Sequence, residues 1–364
     1  MYPALAVHQA LADPDESLLP EDGLTTLWVG GRGGMEADLV KRAGIPFEAI
    51  PAAGVHGVGL RRLPGNVLQL GRGYFESRRV MDRFRPDALL FTGGFVAVPM
   101  ALAGRRVPSL LFVPDIEPGL ALKTLARFAD RIALTVADSL PYLPPAASRK
   151  AHVTGYPTRA GLRRWEAGEA RRELGLSAGD PVLLVFGGSK GARSINRALL
   201  AVLPQLLAKT QVLHISGKLD WPEVENARQA LDPLLATRYR AYPYLHEQMG
   251  AALSAADLVL SRAGASSLGE FPLFGLPAIL VPYPYAWRYQ QVNAAYLQKH
   301  GAAIVVQDGE LTERLLPVVL ALLADGQRRE QMRQSMLNLA HPQAARGIAA
   351  LLVDLTSQAR ARRD

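Results

Sequence analysis

The stretch Val182-Leu-Leu-Val-Phe-Gly-Gly-Ser-Lys-Gly-Ala-Arg-Ser-Ile-Asn196 decides the fold. An apolar run of strand length, Val182–Phe186, passes into Gly187-Gly188-Ser189, and a helical pattern opens at about Gly191. Glycines let backbone N–H groups approach an anion, and a helix N-terminus favours negative charge. That is the build of a phosphate site. It is not a Walker A loop, because Lys190 precedes a glycine and no Gly-Lys-Ser/Thr follows four spacer residues. A tight strand–helix turn without a ligand reads the same way, so the loop needs company.

Company comes at Leu260-Ser-Arg-Ala-Gly-Ala-Ser-Ser-Leu-Gly-Glu270. Again a strand candidate ends in small residues and a helix follows, with hydroxyls at Ser266 and Ser267 and a carboxylate, Glu270, one turn in. Hydroxyls and unpaired amides suit a diphosphate, and a nearby carboxylate suits ribose hydroxyls. Ser266 as an N-cap and Glu270 as a first-turn charge form the competing, purely helical reading. The third element is Val281-Pro-Tyr-Pro-Tyr-Ala-Trp-Arg-Tyr-Gln-Gln-Val-Asn293. Gln290 and Asn293 stand three apart on one helix face, where neutral amides read sugar hydroxyls or simply meet solvent.

Outward from these loops, short apolar runs alternate with amphipathic stretches along the chain. Strands are expected at Thr25–Val29, Ala88–Phe91, Ser109–Val113, Ile132–Val136, His152–Thr154, Val182–Phe186, Val212–Ile215, Leu258–Leu260, Ala278–Val281 and Ala303–Val306. The alternation implies an α/β fold with parallel sheets covered on both faces. The pattern breaks over Gly155–Glu169, which reads as a linker. The length of 364 residues then divides into an amino-terminal domain, 1–158, a second domain, 159–342, and a carboxy-terminal helix, 343–364, expected to pack back on the first.

Composition trims the function classes. There is no cysteine, which excludes disulfides, thiolate metal sites and thiol nucleophiles. Net charge is +8, split as +3 over residues 1–160 and +5 over the rest. An excess so spread suits phosphate-rich partners, and no acid-free basic block points to nucleic acid. No apolar run approaches the ~20 residues of a membrane span. Leu60–Arg85 mixes Arg61, Arg62, Arg72, Arg78, Arg79, Arg83 and Arg85 with Leu68, Leu70, Tyr74, Phe75, Met81 and Phe84. Such a stretch suits an anionic membrane surface, and equally a core-facing helix with a solvated arginine face.

In this order the three elements resemble the donor half of a GT-B glycosyltransferase of the MurG family, and the resemblance covers nearly the whole chain. It implies two doubly wound, Rossmann-like domains facing a central cleft. The family moves N-acetylglucosamine from UDP-GlcNAc to lipid I, a polyprenyl-diphosphate-linked acceptor, on the inner face of the cell membrane. The resemblance implies no cofactor and no metal, and a donor site of Arg159, Gly188, Ser189, Asn196, Tyr244, Leu245, Ala265, Ser267, Glu270, Gln290 and Asn293. Ser216-Gly217-Lys218, after His214, matches the family's SGK turn. Thr92, Gly93, Gly94 and Phe95 resemble the acceptor-side loop, and Gly155-Tyr-Pro-Thr-Arg159 the interdomain segment.

Three departures qualify this. The family's GGTGGH loop, with a catalytically important histidine, has no counterpart before Tyr2. A strand and such a loop are therefore expected upstream of Met1, and the amino-terminal sheet is expected to lack a central strand. The family's HEQN reads Phe-Val-Pro-Asp at Phe112–Asp115, leaving Asp115 as candidate general base. A turn residue before Pro118-Gly119 is the plainer reading of Asp115. Finally, Trp287-Arg288 and Tyr289 stand where the family has an acidic residue and a histidine. A different acceptor, a UDP-GlcNAc 2-epimerase-like isomerase and a non-catalytic nucleotide-sugar binder stay open on the residues alone.

Overall fold

The computed structural model describes residues 1–13, 18, 23–33, 36–52, 63–188, 191–285 and 288–361. The chain forms two compact units. The first takes Met1–Arg159 together with Pro342–Asp364, the second Ala160–His341. The helix Ala344–Ala361 thus belongs to the first unit, where it packs on the helix Tyr2–Ala12 and Asp354 pairs with Arg131.

In the first unit the described strands form two separate parallel sheets. One pairs β1 (Trp28–Gly31) with β2 (Phe47–Ile50). The other runs in chain order through β3 (Leu89–Phe91), β4 (Ser109–Val113), β5 (Arg131–Leu134) and β6 (Ala151–Val153). Leu110, Leu111, Ile132 and Leu134 are wholly buried, as expected where helices cover both faces of a parallel sheet.

The helix Leu63–Phe84 has a core-facing side and a solvated arginine side, the plainer of the two readings of its sequence. Ser77, Val80 and Met81 turn into the core, and Gly73 sits so close to the Pro51 carbonyl that a Cβ would lie 2.3 Å from its oxygen. Leu68, Phe75, Arg72, Arg78 and Arg79 stay exposed. Arg61 and Arg62 lie outside the described residues.

The second unit holds six parallel strands, β7 (Val182–Phe186), β8 (Gln211–Ile215), β9 (Tyr239–Tyr242), β10 (Leu258–Ser261), β11 (Ala278–Leu280) and β12 (Ala303–Val305). Their order is β12-β11-β10-β7-β8-β9. Strand order therefore reverses between β7 and β10, which is where open α/β sheets part their loops to leave a crevice. Val182–Val185 and Leu258–Leu260 are fully buried, and the apolar face of the helix Arg193–Leu207 (Ile195, Leu199, Leu203, Leu206) covers them. Each such side chain contributes roughly 1.5–3 kcal/mol by leaving water. The crevice is thus framed by the buried core of the unit.

Candidate active site

A cleft of about 1150 Å³ opens at that switch point, large enough for a nucleotide sugar. Its floor comes from the strand ends and both glycine loops: Phe186 closing β7 with Gly187, Gly188 and Gly191 after it, and Ser261 closing β10 with Arg262, Gly264 and Ser267 after it. Tyr283, Gln290 and Asp308 close its side.

The first loop is built on glycines that nothing else can replace. Gly191 has φ +78°, and a Cβ there would lie 2.3 Å from the Ser216 carbonyl oxygen. Gly187 packs so tightly on Ala192 that a Cβ would meet its nitrogen at 2.4 Å. The helix itself begins at Arg193, two residues later than the sequence pattern places it. Ser189 and Lys190 lie outside the described residues.

The second loop differs from expectation. A single 3₁₀ turn, Ala265–Leu268, comes first, and the α-helix spans only Glu270–Phe274. Glu270 therefore opens the helix instead of standing one turn inside it. Gly264, not Ser266, holds the cap position of the 3₁₀ turn, and Ser267 donates its hydroxyl to the Gly264 carbonyl at 2.6 Å. That bond ties the turn shut with little help from side-chain capping.

Of the expected donor residues, Gly188, Ser267 and Gln290 line the cleft. Gln290 accepts the Tyr283 N–H on Oε1 at 2.9 Å, and among the described residues its amide NH₂ has no acceptor. Asn196 and Asn293 do not line it. Asn293 is fully buried and donates to the Ala263 carbonyl at 3.1 Å, bracing the second loop from behind. Asn196 is 2% exposed, and its amide is spent on Ser216 O (2.9 Å), Asp220 Oδ2 (2.8 Å) and His214 Nε2 (3.0 Å). The reason in both cases is burial: an amide on the inward face of a helix must satisfy itself on its neighbours. Both act on the loops instead of facing the cleft. Tyr244, whose ring lies 4.4 Å from that of His246, and the buried Leu245 form the turn after β9.

Sequence reasoning missed the polar core of the cleft. Arg262, 9% exposed, donates to Asp308 Oδ1 at 2.6 Å, to Ser194 Oγ at 2.7 Å and to the Val281 carbonyl at 3.1 Å, with the Tyr283 ring 5.2 Å from its guanidinium. Ser194 also donates to Asp308 at 2.7 Å. The first turn of the Arg193–Leu207 helix is thereby clamped to the ends of β10, β11 and β12. Asp308→Ala is expected to strand the buried guanidinium at a cost of about 2–3 kcal/mol, at or just below the floor of the ~3–5 kcal/mol for a broken buried pair because Asp308 is partly exposed. Urea unfolding of the full chain reads this directly, and Asp308→Asn should recover part of it by keeping an acceptor.

In the first unit, Thr92, Gly93, Gly94 and Phe95 follow β3 as a loop with φ +107° at Gly93 and +86° at Gly94, leaving Phe95 exposed. Asp115 stands half-buried two residues after β4, where Thr135 Oγ1 donates to the neighbouring Pro114 carbonyl at 2.9 Å. Arg159 stacks on Tyr2, 4.4 Å from guanidinium to ring centre. Among the described residues no group of three His, Asp or Glu side chains could hold a metal ion.

Two Rossmann-like units, one carrying a nucleotide-sized cleft between glycine loops, define a GT-B glycosyltransferase. The chain matches the glycosyltransferase family 28 amino-terminal domain over residues 1–134 and its carboxy-terminal domain over residues 182–348. It is 40% identical to a UDP-N-acetylglucosamine–N-acetylmuramyl-(pentapeptide) pyrophosphoryl-undecaprenol N-acetylglucosamine transferase of Roseiflexus sp., over 98% of this chain and 92% of that one. It is 35% identical to the protein so named from Halothermothrix orenii, over 97% and 95%. The chain belongs to glycosyltransferase family 28 and, within it, to the MurG family.

Among solved structures, Acinetobacter baumannii MurG is similar with a TM-score of 0.71 at 25% identity, covering 96% of this chain and 95% of that one. A UDP-GlcNAc 2-epimerase of Neisseria meningitidis bound to UDP-GlcNAc gives a TM-score of 0.64 at 13% identity, covering 96% and 97%, a likeness of fold alone.

Proposed function

We propose that this chain transfers N-acetylglucosamine from UDP-GlcNAc to the lipid-diphosphate-linked muramoyl pentapeptide, lipid I, in peptidoglycan synthesis. The observation that carries the reading is the meeting of both glycine loops at one cleft on the β7–β10 switch point. Relatives bearing that activity in their names extend over nearly the whole chain.

The reaction is an inverting displacement. The acceptor hydroxyl attacks the anomeric carbon from the face opposite the diphosphate, the carbon–oxygen bond to UDP breaks, and UDP leaves with the electron pair. Its charge is met by the Gly188 backbone, Ser189, the Arg193 helix start and Arg159, in place of a metal, and by Ser267 once its hydroxyl turns from the Gly264 carbonyl to the phosphate. Glu270 holds the ribose hydroxyls, Tyr244 and Leu245 flank the uracil beside Ala265, and the Gln290 NH₂ reads the sugar hydroxyls. Asp115 takes the acceptor's proton, with Thr92–Phe95 on the acceptor side. Loss of the ribose carboxylate in Glu270→Ala is expected to weaken UDP binding by about ten- to a hundredfold. Calorimetry on the full chain measures this, and unchanged UDP affinity would remove Glu270 from the site.

The acceptor is a membrane lipid, so the enzyme works as a peripheral protein on the inner face of the cell membrane. No described helix is long and apolar enough to cross one. The exposed face of Leu63–Phe84, with Leu68 57% and Phe75 67% exposed beside Arg72, Arg78 and Arg79, supplies the contact. Each near-surface arginine is worth about 1 kcal/mol on anionic lipid and less in salt. Sedimentation with vesicles should show binding to anionic but not neutral lipid, weakened by Arg78→Glu with Arg79→Glu. Binding that ignores both salt and these charges would contradict the assignment.

A further inference from the structure

We infer that Arg193 is a ligand of the donor's diphosphate, aimed at it by a buried hydrogen-bonded relay that ends in Asp220. The inference rests on the donor reading above.

The relay starts in the sheet, on β9 and β8. Tyr239 Oη lies 2.7 Å from His214 Nδ1, and His214 Nε2 lies 3.0 Å from Asn196 Oδ1. Asn196 Nδ2 reaches Asp220 Oδ2 at 2.8 Å, and Asp220 Oδ1 accepts from Arg193 Nε at 3.0 Å. Tyr239, His214, Asn196 and Asp220 are all nine-tenths or more buried. The proton positions follow from chemistry. An amide oxygen only accepts, so His214 carries its hydrogen on Nε2 and its Nδ1 accepts from the tyrosine hydroxyl. Every polar group in the chain then has one assigned role, and the relay has one arrangement.

What this fixes is the near end of Arg193. The carboxylate grips Nε, while the side chain as a whole is 63% exposed and lines the cleft with Gly188 and Gly191. Among the described residues the two terminal nitrogens have no partner. An arginine held by Nε keeps its outer fork for a second anion, and a planar fork matches paired phosphate oxygens. The negative charge of Asp220 does not turn the site against an anion, because one oxygen is bound to Arg193 and the other to the Asn196 amide.

The other arginines on the cleft are built differently. Arg262 is buried and spends its donors on Asp308, Ser194 and Val281, so its place is structural. Arg197, one helical turn beyond Arg193, stands 3.5 Å from the half-exposed Glu223 and has no buried anchor behind it. Among the described arginines of the cleft, Arg193 alone combines a fixed base, an outward fork and a position two residues from the loop glycine.

The test is calorimetric titration of the full chain with UDP, UMP and uridine. Arg193→Ala is expected to weaken UDP by about ten- to a hundredfold and to leave uridine within about twofold. Arg193→Lys should fall between, because an ammonium cannot hold Asp220 and a phosphate pair at once. Arg197→Ala should cost less than about threefold, as for an exposed pair. UDP binding unchanged in Arg193→Ala, an equal loss for uridine, full affinity in Arg193→Lys, or an equal loss in Arg197→Ala would each overturn the inference. Wild-type chain that fails to bind UDP would instead overturn the donor reading beneath it.

Discussion

Gly191→Ala is expected to abolish nucleotide binding while most of the carboxy-terminal unit stays folded. The residue sits at φ +78°, where an L side chain costs roughly 1–2 kcal/mol before any contact is counted. The added Cβ would also press on the Ser216 carbonyl oxygen at 2.3 Å and the Gly217 Cα at 3.2 Å. Neither neighbour is a flexible side chain. The Ser216 carbonyl accepts the Asn196 amide at 2.9 Å, so it cannot swing away without breaking a buried bond. The glycine loop must move instead, and the first turn of the Arg193–Leu207 helix moves with it. A shift there misplaces the backbone amides proposed to hold the diphosphate, so UDP affinity should fall by more than about a hundredfold, some 2.8 kcal/mol. Gly179→Ala, which would meet nothing within 4 Å, should bind UDP as wild type does. Binding within a few-fold of wild type in Gly191→Ala would deny the loop its role.

The second large effect is acid lability centred on His214. Burial holds this imidazole down at about 3 instead of the ordinary 6.5, with Asp220 opposing the shift only in part. The sign is fixed by which state binds the proton. Between pH 6.5 and about 3 the unfolded chain is protonated at this position and the folded chain is not, so stability present above 6.5 drains away as pH falls. The loss runs at up to about 1.4 kcal/mol per pH unit across that window. Urea midpoints measured from pH 8 to pH 4 should therefore drop steeply in the wild type. In His214→Gln they should start lower and fall less. Parallel curves for the two proteins would place the acid sensitivity elsewhere.

The sheet interiors were legible because their strands are unbroken apolar runs. Ser109–Val113 and Val182–Phe186 match to the residue. The strands left unread were β2, Phe-Glu-Ala-Ile, and β9, Tyr-Arg-Ala-Tyr. Both lie at a sheet edge, half-buried, where polar residues are tolerated and the apolar signal is thin. The glycine loops were legible too, since only a few residue types permit that backbone. The division of labour among the polar residues was not. Asn196 and Gln290 look alike in sequence, yet one is buried under Ser216 and the other borders the cleft. Asp308 carries no local signal at all; only the closing of the sheet brings it to Arg262.

On this chain a sugar is expected to leave UDP and arrive on a lipid. Radiolabelled UDP-GlcNAc incubated with the full chain and membranes containing lipid I tests it most directly. Label should pass into the lipid-soluble fraction with release of UDP, and Gly191→Ala should stop the passage. Label recovered as free N-acetylmannosamine, or as bound but unaltered UDP-GlcNAc, would contradict the account and assign the cleft to isomerisation or to binding alone.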